Sequence, residues 1–92
     1  MTDIKKEVTV GTDNKEDVIL SIAPAAPGDG ITIEVTGKGA RQFGEEITAA
    51  VHEALEDLGV ADAAVTVQDN WAYDYAVRAR TKAAVQAARE ED

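Results

Sequence analysis

The period of the apolar positions along this chain changes three times, and each change marks a boundary between predicted elements. Glu7-Val8-Thr9-Val10 alternates and predicts a short strand ending at Gly11. After a charged segment, Val18, Leu20 and Ile22 share one face of a second strand, with Ile19, Ser21 and Ala23 on the other. Pro24 ends that strand because proline cannot donate to a ladder. Ala25 to Gly30 is dense in turn formers and reads as a hairpin connection. Ile31, Ile33 and Val35 then alternate with Thr32, Glu34 and Thr36, which predicts a third, half-buried strand with one wet face.

Beyond Gly37-Lys38-Gly39 the spacing becomes helical. Phe43, Ile47, Val51, Ala54, Leu55 and Leu58 fall on one stripe, so Gln42-Phe43-Gly44 starts a helix and directs Phe43 to the core. Glu45, Glu46, His52, Glu53 and Glu56 take the remaining surface, and Gly59 is placed to cap the C-terminus. Ala63, Val65 and Val67 alternate in a fourth strand closed by Asp69-Asn70, either of which can cap the next element. The last segment has two readings. Ala76 to Ala88 is rich in strong helix formers, and a helix from about Ala72 to Arg89 would carry a stripe of Ala72, Ala76, Ala79, Ala83 and Ala87. The alternation of Tyr73 to Arg78 supports instead a strand over residues 72–78 followed by a shorter helix. The element order is β-β-β-α-β-α. Short connections then favour an α+β two-layer sandwich, a mostly antiparallel four-stranded sheet with two helices on one face. Residues 1–92 make one domain, with 1–6 and 90–92 expected to fray.

Composition narrows the chemistry. One Trp, two Tyr and one Phe leave the core to Val, Ile, Leu and Ala. Eighteen acidic against nine basic residues give a net charge of −9, a field that opposes binding to nucleic acid and to anionic membrane and suits basic patches on a protein partner; the plain alternative is that the acidity only keeps a small domain soluble. A lone domain of this charge is expected to be monomeric when isolated. Without cysteine there is neither disulfide nor thiolate chemistry. No stretch approaches ~20 apolar residues, and the expectation is a soluble cytoplasmic protein.

Catalytic groups are scarce. Ser21 and His52 are the only serine and histidine, one on a strand and one on a helix face with Glu45, Thr48 and Glu56. A triad needs a base within hydrogen-bond reach of the nucleophile, and nothing in this spacing supplies it. His52 and Glu56 would give a metal two ligands where a stable site wants three or four. Gly37-Lys38-Gly39 is too short and too common to read as a phosphate cradle.

The remaining feature is the loop Gly11-Thr12-Asp13-Asn14-Lys15-Glu16-Asp17, which runs into Val18-Ile19-Leu20-Ser21-Ile22-Ala23-Pro24. Taken with Gln42-Phe43-Gly44 and Arg78-Ala79-Arg80, in that order and spacing, it resembles the acyl carrier (gamma) subunit of citrate lyase over roughly residues 8–88. In that family a serine two residues before the Asp17 position carries a phosphodiester-linked group, 2'-(5''-phosphoribosyl)-3'-dephospho-CoA, whose terminal thiol holds acetyl or citryl. The resemblance implies the citrate lyase alpha and beta subunits and a prosthetic-group transferase as partners. Here the serine position is Lys15, whose amine cannot make that phosphodiester, and Thr12 is the nearest hydroxyl. Three readings stay open: a chain blocked from modification, an attachment that has moved, or a shared fold and docking role alone. An ordinary loop lysine is the plain account of Lys15.

The resemblance implies an acyl carrier subunit with no catalytic site of its own. The alternatives are a non-catalytic interaction module of the same fold and the related carrier subunit of malonate decarboxylase. An independent small enzyme is the weakest choice. Arg78 and Arg80 also match the family pattern. They fall about 200° apart on a helix, so both do not easily face one partner; one could bond a carboxylate bidentately and brace the helix against the sheet or a partner, and a plain surface salt bridge is an equal alternative.

Overall fold

Six elements follow one another in the computed structural model, which describes residues 4–90: β1 (Val8–Gly11), β2 (Asp17–Pro24), β3 (Ile31–Gly37), α1 (Ala40–Asp57), β4 (Ala63–Asn70) and α2 (Asp74–Arg89). The expected order and the α+β class stand, and the segment with two readings is helical from Asp74 onward. Tyr73 stays extended as its N-cap.

The sheet departs from expectation in one respect. Its spatial order is β1-β2-β4-β3, with β1/β2 and β2/β4 antiparallel but β3/β4 parallel. The segment 25–30 is therefore not a hairpin turn, because β4 lies between β2 and β3. Helix length explains this. The 18 residues of α1 return the chain by about 27 Å, enough to bring β4 back beside β3 in the same direction. Asp62 then secures the wide β2–β3 connection by accepting the Gly28 and Gly30 N–H groups at 3.0 and 2.8 Å.

Strand alternation sets the core. Val18, Leu20 and Ile22 of β2 register against Asp69, Val67 and Val65 of β4, and all six are buried. Both helices cover this face, α1 over β3 and α2 over β1 and β2. No aromatic side chain joins the buried cluster, in line with the composition. Phe43 is a correction: it stands 40% exposed rather than in the core, since α1 begins three residues before it and buries Ile47, Ala50, Val51, Ala54 and Leu55. The stripe on α2 is also rotated. Val77, Thr81, Ala84, Val85 and Ala88 face the core, whereas Ala79 and Ala83 are exposed, because the face bearing two valines removes more apolar area from water than an all-alanine stripe. Residues 4–6 are docked rather than frayed. Ile4 packs into the core at 6% exposure, and the Lys5 N–H donates to the Ala88 carbonyl at 2.9 Å. The remaining residues expected to fray, 1–3 and 91–92, lie outside the described residues; Glu90 caps α2 through an N–H bond to the Ala87 carbonyl.

The end of α1 is as expected. Gly59 takes φ 75°, donates to the Glu56 carbonyl, and passes the chain to Val60, which donates to that of Leu55. This is a Schellman closure, and it satisfies two carbonyls that the helix leaves open.

Candidate functional site

Thr12 to Asp17 connects the β1–β2 hairpin and is tied down almost entirely by polar contacts. The Asp17 N–H donates to the Asn14 carbonyl at 3.1 Å, closing a tight turn with Lys15 and Glu16 at its centre. Glu16 occupies the left-handed region at φ 69°, where a side chain is disfavoured. Its N–H donates to the Asn70 carbonyl at 2.8 Å, and the Asn70 amide donates to the Asp13 carbonyl at 2.8 Å. The Tyr73 hydroxyl donates to the Glu16 carboxylate at 3.0 Å, which raises the phenol above its ordinary pKa. The loop is thus held by the end of β4 and the start of α2.

Asp17 is the hub of this arrangement. Its Oδ1 accepts from Arg80 Nε at 3.0 Å and from the Val18 N–H at 2.7 Å. Its Oδ2 accepts from Arg80 Nη2 and Thr12 Oγ1, both at 2.6 Å. The guanidinium holds the Asp17 carboxyl well below the usual carboxylate range, with the Thr12 and Val18 donors adding to it. The sequence separates Arg78 from Arg80 by angle, and the structure assigns them different partners. Arg80 grips Asp17 across α2 and β2, whereas Arg78 bonds Asp74 and Glu53 at 2.6 Å each on the helix surface. The bracing role and the surface ion pair both occur, one for each arginine.

Lys15 and Thr12, the two residues singled out for attachment, are both exposed but differ in what they make available. The Thr12 hydroxyl donates to Asp17 and accepts from the Asn14 N–H at 3.2 Å, and a carboxylate locked by arginine is too weak a base to activate it. Lys15 projects from the turn and is the one residue of 12–17 that forms no hydrogen bond or ion pair among the described residues. It borders an open groove of about 690 Å³, walled by Tyr73, Tyr75 and Arg80 and floored by Ala76, Ala79 and Ala83 of the outward-facing alanine stripe. The Ser21 hydroxyl is paired with that of Thr9 at 2.7 Å on the far face of the sheet. The residues here therefore do not fit a phosphodiester at the position that the resemblance marks.

His52 lies in a shallow, open depression on α1 with Glu45, Thr48, Glu53 and Glu56. No group of three His, Cys, Asp or Glu among the described residues is placed to hold a metal ion.

Two features go beyond the sequence reading, the first at Asp69, which the sequence offers together with Asn70 as a cap for the next element although α2 takes Tyr73 as its N-cap. Asp69 is buried at 2% exposure, and its carboxylate accepts the Trp71 and Ala72 N–H groups at 3.1 Å each, organising the turn that leads to α2. Gly39 lies against that carboxylate: a Cβ there would fall 1.9 Å from Asp69 Oδ2. The Gly-Lys-Gly segment thus serves close approach to Asp69. The other feature is aromatic. Phe43 and Trp71 meet edge to face at 6.2 Å, and Tyr73 stacks on Tyr75 at 5.6 Å with rings 7° apart. The run Trp71-Ala72-Tyr73-Asp74-Tyr75 signals this in part through its alternation, but alternation alone speaks to secondary structure and not to exposure.

Comparison with known proteins adds a second line. The family model described as ACP, malonate decarboxylase delta subunit (MdcD), matches residues 5–88. The citrate lyase acyl carrier protein of Fusobacterium nucleatum is 40% identical over 87 residues, covering 95% of this chain and 92% of that one. That of Albidiferax ferrireducens is 40% identical over 82 residues, covering 89% and 83%. Among solved structures, a chain of a Pseudomonas malonate decarboxylase hetero-tetramer in complex with malonate superposes with a TM-score of 0.65 at 19% identity, over 94% of this chain and 87% of that one. At that identity the likeness concerns the fold.

Proposed function

This chain belongs to the family of the malonate decarboxylase delta subunit and the citrate lyase acyl carrier proteins, and from that membership we infer that it is an acyl carrier subunit of a larger complex. The finer reading we propose is a citrate lyase carrier that works between alpha and beta catalytic subunits in the cytoplasm. In the family such a carrier presents acetyl or citryl as a thioester on the phosphoribosyl-dephospho-CoA arm, which supplies the thiol. In this chain Lys15 stands at the attachment position, and we propose that a phosphodiester does not form there.

The observation that carries this reading is the loop. Every neighbour of Lys15 within 12–17 is bonded into the fold, so the turn projects that one side chain toward solvent and toward an approaching enzyme. The residues of this chain position and do not react. Arg80 and Thr12 fix Asp17, and Asn70 fixes the turn.

The test is intact mass after co-expression with the family's prosthetic-group transferase, for the native chain and for Lys15→Ser. An unmodified native chain and a modified variant, both captured by the citrate lyase catalytic subunits, are expected. Mass gained by the native chain at Thr12 or Ser21 would show that attachment has moved. Failure of both proteins to bind those subunits would end the carrier reading.

A second reading, an interaction module that occupies the carrier's place without an arm, is favoured by Lys15 itself. The carrier of a malonate decarboxylase is a third, and the description of the family model favours it.

A further inference from the structure

A chain with only four aromatic residues would ordinarily bury them first, since each removes a large apolar area from water. Here all four are exposed: Phe43 40%, Trp71 42%, Tyr73 53% and Tyr75 71%. They form two pairs, Phe43 with Trp71 where the start of α1 meets the turn from β4 into α2, and Tyr73 with Tyr75 at the start of α2. Exposed apolar surface on this scale marks interaction sites, and aromatic side chains dominate the energetic centres of interfaces.

The fold holds this surface in place. Trp71 sits in the left-handed region at φ 63°, an uncommon conformation for a bulky residue. The buried Asp69 carboxylate enforces it by accepting the N–H groups of Trp71 and Ala72. Phe43 meets the indole edge to face from α1. Between them and Tyr73 lies a groove of about 390 Å³ floored by Ile47, Ala50 and Val77.

Charge selects the occupant. The titratable side chains lining the groove besides Tyr73 are Glu46 and Asp74, both acidic. Asp74 pairs with Arg78, while the Glu46 carboxylate has no hydrogen-bond or ion-pair partner among the described residues. A second copy would set one −9 chain against another, whereas a basic segment would complete the unpaired carboxylate. We propose that this groove docks a partner protein through a short amphipathic segment, in which a large apolar side chain enters between Phe43 and Trp71 and flanking lysine or arginine meets Glu46. This rests on reading the chain as a subunit of a complex, and it adds the surface and the chemistry of the contact.

Trp71 is the only tryptophan, so its fluorescence reports the groove directly. The probe is a synthetic helical peptide with two leucines on one face bracketed by lysine and arginine, titrated beside a scrambled peptide of the same composition. A saturable blue shift with the first peptide, weakened by about tenfold in Phe43→Ala and in Glu46→Lys, is expected. Both positions are exposed, so the variants retain the fold, which circular dichroism checks. Equal affinity for the scrambled peptide, no saturable shift, or unchanged affinity in both variants overturns the proposal. Assembly with citrate lyase catalytic subunits separates this from the carrier reading. If the native chain and both variants assemble equally well, the groove is not the docking site and the carrier reading stands. If the native chain binds the peptide selectively but no catalytic subunit, the groove stands and the carrier reading falls.

Discussion

Arg80 on α2 holds Asp17 at the head of β2 through two parallel hydrogen bonds, Nε to Oδ1 at 3.0 Å and Nη2 to Oδ2 at 2.6 Å. The carboxylate is 15% exposed and the arginine 37%, so the pair is only partly shielded from water. It joins a helix to a strand 63 residues away and sets where the 12–16 loop begins.

Arg80→Lys loses the fork that matches both carboxylate oxygens and should lower stability by about 1–2 kcal/mol after allowance for solvent screening. Arg78→Lys, whose partners Asp74 and Glu53 are far more exposed, should have a smaller effect. Urea unfolding of the two variants checks the order.

Stability should fall in acid through Asp17. Its folded pKa lies below the unfolded value, so the unfolded chain binds the proton more readily and stability rises with pH. The contribution is complete above about pH 5 and is lost as the pH drops through about 4 toward the lower folded value. The difference in melting temperature between the native chain and Asp17→Asn should therefore shrink between about pH 6 and pH 3. A constant difference across that range would remove Asp17 as the cause.

A glycine-to-alanine series should rank by close approach. At Gly37, with φ 98°, a Cβ would lie 2.3 Å from the Asp69 carbonyl oxygen, which is backbone, and the loss should be about 3 kcal/mol or more. At Gly39 it would meet the buried Asp69 carboxylate, and a loss of about 1–3 kcal/mol is expected. At Gly44 nothing lies within 4 Å, so alanine within α1 should add about 0.5–1 kcal/mol. Thermal melts of the three variants check the series.

Glu16→Asn should raise stability by about 0.5 kcal/mol, because asparagine tolerates the left-handed region better. It also removes the carboxylate that raises the Tyr73 phenol, so phenol ionisation followed by ultraviolet absorbance should move to lower pH. The two readouts distinguish relief of backbone strain from a simple loss of contact.

Local pattern is enough for the first five elements, whereas the alternation of Tyr73 to Arg78 leaves the last one open between strand and helix. Alternation in Val18 to Ile22 and Ala63 to Val67, the helical stripe through Ile47 and Leu55, and the glycine stop at Gly59 each arise from backbone geometry over a few residues. The scarcity of aromatics correctly assigns the core to aliphatic side chains. The importance of Thr12 to Asp17 is also legible, from the resemblance that its residues carry. None of these signals carries information about distant partners. Spacing puts Phe43 on the core stripe, but it does not say where the sheet beneath the helix ends.

The chain by itself determined the first five elements, the aliphatic character of the core and the candidate loop, since each depends on neighbours in sequence, while the strand or helix choice over residues 72–78 waited for the tertiary structure. Tertiary structure alone decided that β4 enters between β2 and β3, that Arg80 rather than Arg78 holds Asp17, and that the four aromatics stay exposed in two contacting pairs. These outcomes come from packing two helices on one face of a twisted sheet. That packing joins residues 57 and 63 positions apart, and no local pattern encodes which of several compatible partners will meet.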